Sequence, residues 1–571
     1  MSETVRQSTP APAAFPTPPQ PAIQLPQAPD GQMTLRVNGK DHFIDPKKYR
    51  SLIEALRDLG YDIPHFCYHP GLQPDGNCRM CYVNVIDVMT GKPVMAPNLS
   101  RQPFEMYPKP VISCREPLNP RGMVVETETP AVIEARKWVM EFLLINHPLD
   151  CPVCDKAGEC MLQDHSFGHG KADSRFEERK NEKPPKDLGP TIRLWTDRCI
   201  VCTRCVRFLD EVSGTSELYV VQRGDRSEID IAPGHPVDNP LMGNIVDICP
   251  VGALIDKDLM YTYRAWYLQR TDSICPACSA GCNIQVQAQK EFVRRLVPRE
   301  NRAVNGWWMC ERGRKDFAYI HAESRLRQAR VDGKEMPAIQ AAEEAGKRLR
   351  AAAQKDAQGV ALLASAWLTV EELYLAKRLA AALGTTQIGL LVEPDGPERT
   401  FPKFRIEADR NPNRAGAKLV LGDGVEAATA GILEKARAGQ LAAVYAISSM
   451  PHFEPTVELL EALHKVPLRV VQDLRSGPLA EMAQIVLPGS SFAEKDGVFV
   501  NVQRRAQAVR RAIDPLAQGY DDLLVLQRVA RAAGADVPAG SAREVFRELE
   551  KEIPALKGLD HQALGRLGVP V

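Results

Sequence analysis

The chain has 571 residues, of which 44% are hydrophobic and 25% are charged, and its 72 Lys and Arg residues balance its 72 Asp and Glu residues. This composition is ordinary for a globular protein, and the neutral balance argues against a globally basic, nucleic-acid-binding protein. We find no apolar run long enough to cross a bilayer and no secretory signal, and the length suggests about three to five domains.

The 15 cysteines are the most informative residues of the chain. They fall into groups of four, three, four and four, and a histidine accompanies the group of three. Spacings of C-x2-C and C-x3-C that stop at Cys310 are typical of metal sites in a reducing cytosol, and not of a disulfide framework.

The N-terminal region begins with a proline-rich stretch, residues 1–30, which is predicted to be a disordered tail. A strand pair around Asn38-Gly39 is predicted next, because this dipeptide is the commonest hairpin signal. Helical periodicity that stops at Gly60 predicts a helix. The predicted elements are strands Met33–Val37 and Phe43–Ile44, helix Tyr49–Leu59 and strand Tyr82–Val88.

The first cysteine group has the pattern C-x10-C-x2-C-x32-C. Four thiolates in a Gly/Pro-containing loop beside a small sheet suit a 2Fe-2S cluster, because the N–H groups of the loop can stabilise the sulfurs. A zinc ribbon, which normally pairs two C-x2-C knuckles, or metal-free core cysteines are the alternatives. The group comprises Cys67, Cys78, Cys81 and Cys114.

The second group follows a predicted amphipathic helix, residues 130–146, and has the pattern H-x3-C-x2-C-x5-C. Three thiolates and one imidazole suit either tetrahedral zinc or an iron–sulfur cluster. His147 is the nearest upstream candidate for the fourth ligand, and His165 and His169 are the alternatives. The group comprises His147, Cys151, Cys154 and Cys160.

The third group follows a polar stretch, residues 165–190, that is predicted to be a linker or surface excursion. Its C-x2-C-x2-C run and distant Cys-Pro are typical of a ferredoxin-type 4Fe-4S site. Nearby arginines at 198, 204 and 207 could partly neutralise the thiolates, with solvated surface positions as the alternative. The group comprises Cys199, Cys202, Cys205 and Cys249.

The fourth group has the pattern C-x2-C-x3-C with a fourth cysteine 27 residues later, and strands are predicted at Asn283–Gln289 and Phe292–Val297. It suits another cluster, with structural zinc as the competitor. The group comprises Cys275, Cys278, Cys282 and Cys310.

From about residue 323 there are no cysteines, and apolar strands alternate with helices, which predicts βαβ units on a parallel sheet. Gly422 and Gly424 form a G-x-G pair that we interpret as turn glycines, because this motif alone is weak. The predicted strands are Gly359–Leu363, Thr386–Leu391, Ala417–Leu421, Leu441–Ile447, Leu468–Gln472 and Gln484–Leu487, and the predicted helices are 369–383, 426–437 and 454–464.

This series of cysteine and histidine motifs, over residues 33–310, resembles the large iron–sulfur subunit of bacterial respiratory complex I, the proton-pumping NADH–quinone oxidoreductase. The resemblance implies one 2Fe-2S cluster on the Cys67 group and 4Fe-4S clusters on the His147, Cys199 and Cys275 groups. The last of these matches an additional cluster found only in some bacterial members.

The C-terminal part resembles the molybdopterin-dependent oxidoreductases more faintly. The stretch Glu494–Gln507 is similar to their E-x2-G-x3-N…R-x-Q pattern, although Gln503-Arg504 stand where an acidic residue and a glycine are usual. The domain is short and has no cysteine, so we expect no molybdenum cofactor and no catalysis there, and a role in packing and assembly.

These resemblances imply a multidomain α+β and α/β fold. We expect a β-grasp 2Fe-2S ferredoxin domain, a His/Cys 4Fe-4S domain, a ferredoxin-like 4Fe-4S domain and an additional 4Fe-4S domain, followed by a shortened molybdopterin-oxidoreductase-like α/β domain. Their expected bounds are 31–115, 116–190, 191–266, 267–322 and 323–571.

The function implied is that of an electron-transfer subunit with no substrate site of its own. Flavin and NADH are expected on one partner and quinone on another, in a peripheral arm at the cytoplasmic face of the bacterial inner membrane that is attached through partner subunits. One alternative is an electron-transfer subunit of a soluble NAD-linked hydrogenase or formate dehydrogenase. Another is a zinc-binding scaffold, which would be colourless.

Overall fold

The computed structural model describes residues 23–97 and 106–571, so residues 1–22 of the predicted tail lie outside the described residues. The chain divides into two compact units. The first comprises Met1–Leu149, Cys160–Glu182 and Cys202–Arg204, and the second Asp150–Glu159, Lys183–Val201 and Cys205–Val571.

The first unit contains seven strands and three α-helices within its described residues. They are β1 (Met33–Val37), β2 (Lys40–Ile44), α1 (Leu52–Asp58), β3 (Tyr82–Ile86), β4 (Met95–Pro97), β5 (Met106–Pro108), β6 (Val111–Ile112), β7 (Met123–Glu126), α2 (Pro130–Leu144) and α3 (Met161–His169).

A five-stranded mixed sheet organises the first unit, with strand order β2-β1-β7-β3-β6. Strands β1 and β7 are parallel and the other neighbours are antiparallel. Helix α1 contributes Leu52 and Leu56 to the same core as Leu35 and Val83. The predicted hairpin is confirmed: Asn38 and Gly39 both have positive φ, as its tight turn requires.

The second unit begins with small sheets and short helices. They are β8 (Lys186–Asp187), β9 (Ile192–Leu194), α4 (Arg204–Phe208, whose first residue belongs to the first unit), β10 (Leu218–Val221), β11 (Glu228–Ile231), α5 (Asn244–Ile248), β12 (Leu254–Asp256), β13 (Gln269–Ile274), β14 (Asn283–Gln289), β15 (Phe292–Pro298) and α6 (Glu311–Lys315). Strands β12-β9-β8 form one antiparallel sheet and β13-β14-β15 another.

The rest of the second unit is an α/β region. It contains β16 (Ala329–Val331), β17 (Lys334–Met336), α7 (Ala338–Lys355), β18 (Val360–Ser365), α8 (Val370–Leu383), β19 (Ile388–Leu391), β20 (Arg399–Phe401), β21 (Phe404–Ile406), α9 (Arg414–Leu421), α10 (Val425–Arg437), β22 (Ala443–Ile447), α11 (Val457–His464), β23 (Leu468–Asp473), α12 (Pro478–Glu481), β24 (Ile485–Pro488), β25 (Gly497–Val500), β26 (Arg505–Val509), α13 (Asp522–Ala532), α14 (Ala542–Glu552) and β27 (Val569–Pro570).

A seven-stranded sheet forms the centre of this region, with strand order β17-β16-β24-β23-β22-β18-β19. The five strands from β24 to β19 are parallel, which confirms the predicted βαβ units. Alternate side chains of β18 belong to two different hydrophobic clusters, one with α7, α8 and α13 and the other with α10 and α11. The sheet is therefore covered on both faces, as the apolar strand sequences indicate.

Two local predictions were wrong. Ala417–Leu421, predicted as a strand, lies in helix α9, where Gly416, Ala417 and Val420 form the buried face. A five-residue apolar run does not distinguish a strand from a buried helical turn. Part of the predicted linker is helix α3, which buries only Leu162 and so gives little apolar periodicity.

Candidate iron–sulfur sites

The thiols of the Cys67 group converge in the first unit. Hydrogen bonds join Cys67 to both Cys78 and Cys114, and Cys114 to Cys81. Three of the four side chains are buried and that of Cys78 is half-buried. All four predicted ligands are therefore brought together.

The loop around Cys78 directs backbone N–H groups at these sulfurs. Gly76 and Arg79 have positive φ, and the N–H of Gly76 donates to the Cys67 thiol. The N–H of Cys67 donates to the Sγ of Cys78 at 3.3 Å. Hydrogen bonds from Cys114 and Cys78 lower the pKa of Cys67 to about 2. A hydrogen bond from Cys114 also lowers the pKa of Cys81, whereas hydrogen bonds to neighbouring thiols and burial raise the pKa of Cys78 and Cys114. The site therefore stabilises the thiolate form at Cys67 and Cys81. The backbone N–H donors suit the sulfurs of a 2Fe-2S cluster.

The Cys275 group is buried in the second unit, where two of its thiols lie beside one glycine. A Cβ atom on Gly313 would lie 2.7 Å from the Sγ of Cys275 and 3.7 Å from that of Cys310. The N–H of Gly313 donates to the Sγ of Cys310 at 3.4 Å, and the N–H groups of Ala277 and Ala280 donate to Cys275 and Cys278.

Burial raises the pKa of every thiol in the Cys275 group, and that of Cys278 to about 12. The neighbouring sulfurs act in the same direction on Cys275, Cys278 and Cys282, which places these groups within electrostatic reach of one another. Iron binding at this site must therefore displace thiol protons, and this couples cluster assembly to the fold. The buried thiols and the N–H donors fit a four-thiolate cluster.

The His147 group is divided between the two units. His147, which follows α2, and Cys160, the residue before α3, belong to the first unit, and Cys151 and Cys154 belong to the second. Cys154 and Cys160 are buried and Cys151 is exposed. Their assignment to one ligand set stays a prediction.

The alternative histidines are engaged elsewhere in the first unit. The Nε2 atom of His165 lies 3.3 Å from both the backbone N and the backbone O of His65, and its ring meets that of Phe66 edge to face. His169 packs beside His165, with ring centroids 5.8 Å apart. These contacts favour His147 as the imidazole ligand.

The loop of Cys151 and Cys154 is held by arginines of the second unit. Arg264 donates to the carbonyl oxygens of Pro152 and Cys154 at 2.5 and 2.9 Å. Arg198 donates to the carboxylate of Asp150 at 2.6 and 2.9 Å and lies over the ring of Trp195.

The Cys199 group is also divided: Cys202 belongs to the first unit and the other three cysteines to the second. Val201 and Thr203, between the ligands, both have positive φ, and the N–H of Val201 donates to the Sγ of Cys199 at 3.4 Å. The N–H of Val201 thereby stabilises negative charge on the Cys199 sulfur.

Two of the nearby arginines are not solvated surface residues. Arg198 is 2% exposed and Arg204 is 5% exposed. Arg204, in the first unit, donates to the carbonyl oxygen of Tyr68 at 2.5 Å. The surface alternative is therefore wrong for both, because each guanidinium is buried and donates to a protein acceptor.

Sequence reasoning missed Asp150, the partner of Arg198, and Gly252, which lies against Cys154. The sequence signal that could have indicated Gly252 was a glycine two residues after Pro250, because glycine often marks a place where the backbone approaches another group closely.

Across residues 23–97 and 106–571, no group of three or more His, Cys, Asp or Glu side chains has the arrangement expected for a single metal ion. No helix among those residues is both long and apolar enough to span a membrane.

Comparison with protein families gives five matches in chain order. They are a 2Fe-2S iron-sulfur cluster binding domain (35–115), an NADH-ubiquinone oxidoreductase-G iron-sulfur binding region (136–175), a ferredoxin-like domain of NADH-quinone oxidoreductase subunit 3 (189–255), a molybdopterin oxidoreductase Fe4S4 domain (268–322) and a molybdopterin oxidoreductase domain (409–532).

The G-type subunit of the NADH-quinone oxidoreductase of Rickettsia felis is 28% identical over 92% of this chain and 91% of the relative. The corresponding G-type protein of Rickettsia conorii is 40% identical over 50% of this chain and 39% of the relative. The mitochondrial NADH dehydrogenase [ubiquinone] iron-sulfur protein 1 of Solanum tuberosum is 43% identical over 47% of this chain and 34% of the relative. These matches support a large, G-type iron–sulfur subunit of complex I.

These similarities confirm the predicted fold class and the function as an electron-transfer subunit of an NADH–quinone oxidoreductase. The matched domains also confirm that the cofactors are iron–sulfur clusters of both the 2Fe-2S and the 4Fe-4S type.

Among solved structures, a chain of an NAD+-reducing [NiFe]-hydrogenase in the H2-reduced state is 26% identical to this chain. The match covers 40% of this chain and 90% of that chain, with a TM-score of 0.33.

Proposed function

We propose that this chain binds one 2Fe-2S cluster and three 4Fe-4S clusters and relays electrons from a flavin-bearing, NADH-oxidising partner toward quinone. Such a cluster, when bound, takes up and releases one electron at a time. The observation that carries the proposal is the convergence of the four thiols of the Cys67 group on a loop whose N–H groups face the sulfurs.

We assign the ligands as four sets, in domains with bounds 31–115, 116–190, 191–266 and 267–322. The domain 323–571 is proposed to bind no molybdenum. The sets are Cys67, Cys78, Cys81 and Cys114; His147, Cys151, Cys154 and Cys160; Cys199, Cys202, Cys205 and Cys249; and Cys275, Cys278, Cys282 and Cys310.

The chain's own residues hold and tune these centres. Thiolates and one neutral imidazole bind iron, backbone N–H groups donate to the sulfurs, and burial excludes water from the Cys275 group. We further propose that the partners are the flavin-bearing subunit and the quinone-side iron–sulfur subunits, and that the assembly lies on the cytoplasmic face of the inner membrane.

Metal analysis combined with EPR of the purified complex tests this proposal. One cysteine of each set is replaced in turn, as Cys81→Ala, Cys154→Ala, Cys205→Ala and Cys278→Ala. Each variant is expected to lose one distinct signal and to keep the others. A colourless zinc protein, stoichiometric molybdenum or tungsten, or a variant set that removes fewer than four distinct signals would overturn the assignment.

A further inference from the structure

The loop between Cys278 and Cys282 packs against a β-hairpin from the α/β region. This hairpin consists of β25, a turn that begins at Asn501, and β26. The loop contains three residues, and each of their carbonyl oxygens accepts a hydrogen bond from the hairpin. The N–H of Val502 binds the oxygen of Ser279 at 2.9 Å, the Nδ2 of Asn501 binds that of Ala280 at 3.0 Å, and the Nε2 of Gln507 binds that of Gly281 at 3.0 Å.

The side chains that make these contacts are completely buried and oriented by further bonds. Asn501 and Gln507 are both 0% exposed. The Oδ1 of Asn501 accepts from the N–H groups of Gln503 and Arg505, which leaves its amino group to donate to Ala280. The amino group of Gln507 also donates to the Oδ1 of Asn283 at 2.9 Å, so this amide cannot be flipped without losing two bonds.

The loop and the hairpin approach each other closely because residue 281 is a glycine. Its φ is +63°, and a Cβ atom there would lie 2.6 Å from the Oε1 of Gln507 and 2.9 Å from the Cβ of Asn501. The N–H of Ser279 binds the carbonyl oxygen of Asp409 at 2.9 Å, so the hairpin bears on the sulfurs through the N–H of Ala280. The N–H of Ala280 indeed donates to Cys278.

Asn501 and Gln507 belong to the E-x2-G-x3-N…R-x-Q stretch of this chain. The other residues of the stretch support the same hairpin. Gly497 allows β25 to approach Thr369, since a Cβ atom there would overlap the Cγ2 of that residue. Arg505 donates to the carbonyl oxygen of Gly568 at 2.7 Å, which ties the C-terminal segment to the turn.

We propose that this stretch is a clamp on the Cys278–Cys282 loop, and that Asn501 and Gln507 are positioning residues for the additional cluster. The inference rests on the proposed function, which assigns a cluster to the Cys275 group. It gives the α/β region a specific role, because this region then sets how the N–H groups of the loop face the sulfurs. Because N–H donors to sulfur stabilise the more negative, reduced state, loosening the clamp lowers the reduction potential of this cluster.

The test uses two variants in the assembled complex. Gln507→Met removes both donor bonds without adding charge, and Asn501→Asp keeps the two acceptor bonds that form the turn while removing the donor to Ala280. Gln503→Met is the matched control, because Gln503 lies in the same turn and is exposed. The measurement is an EPR-monitored redox titration of all clusters, with Cys278→Ala marking the signal of the additional one.

In both clamp variants we expect that signal to be lost or shifted to lower potential, while the signals of the other three clusters match those of the control. An unchanged potential and line shape in both variants, or an equal loss of all signals, would overturn the clamp. If Cys278→Ala leaves every signal intact, the proposed cluster assignment fails instead, and the two failures are thereby distinguished.

Discussion

The Cα of Gly252 lies directly against the sulfur of Cys154, and a Cβ atom at position 252 would overlap that Sγ. Both residues belong to the second unit. Gly252 follows Cys249 of the third cysteine group, and Cys154 belongs to the second. The backbone that carries one proposed ligand therefore packs on another, and this contact fixes the separation of the two loops.

Replacing Gly252 by Ala should displace the Cys154 sulfur, because the added methyl group and the sulfur cannot occupy the same space. We expect loss or distortion of the EPR signal that Cys154→Ala also removes, with the signals of the Cys67 and Cys275 groups retained. Gly431→Ala in helix α10 is the matched control, since nothing lies within 4 Å of a Cβ there. A Gly252→Ala protein with the complete set of signals would contradict this prediction.

His147→Ala should remove or alter the signal of the second cluster, because it deletes the proposed imidazole ligand. His147→Cys should lower the potential of that cluster or disturb its geometry, since a thiolate adds one negative charge and disfavours reduction. His165→Ala is the control, because its ring already bonds the backbone of His65. Should His147→Ala leave the spectrum untouched, His165 and His169 become the residues to test.

The Cys275 cluster is expected to lie off the main electron route. The double variant Cys275→Ala with Cys278→Ala should lose one EPR signal and, when fully assembled, keep most of its NADH–quinone activity. Assembly is checked by subunit composition and activity is measured with purified complex. A large loss of activity in an assembled variant would place this cluster in series with the others.

Asp473 makes stability depend on pH. It lies at the end of β23, and burial raises the pKa of its carboxyl group to about 7. The unfolded chain releases this proton near pH 4. The stabilisation that this raised pKa gives the folded state is therefore fully present below about pH 4, and it is lost as the pH rises through about 7.

Asp473→Asn should remove that dependence and raise the free energy of unfolding at pH 8, by on the order of 2–4 kcal/mol. Calorimetry of the purified chain between pH 5 and 8.5 measures the effect on the transition of the α/β region. Asp423→Asn, at an exposed position, is the control. Parallel pH profiles for Asp473→Asn and the unsubstituted chain would refute the assignment.

Most of the candidate ligands can be predicted from the spacing of the cysteines along the chain. A C-x2-C or C-x3-C motif places its sulfurs on one loop whatever the remaining fold, so the Cys67 and Cys275 groups could be assigned before their convergence and burial were known. The parallel sheet was equally predictable, because strands such as Val360–Ser365 are buried at every position and alternate with helices. The helical state of Ala417–Leu421 was not predictable, because a five-residue apolar run suits either a strand or a buried helical turn.

Residue types and their spacing alone predicted the kind of protein: the candidate ligand groups, their order and the class of cofactor. Which residues outside the motifs contact the ligand loops became known from the three-dimensional fold. Asn501 and Gln507 reach the Cys278–Cys282 loop across 221 and 226 residues of chain, and neither spacing nor periodicity encodes such a contact. Their roles follow from burial, because a buried amide must find partners, and the carbonyl oxygens of that loop are the acceptors that the fold brings within reach.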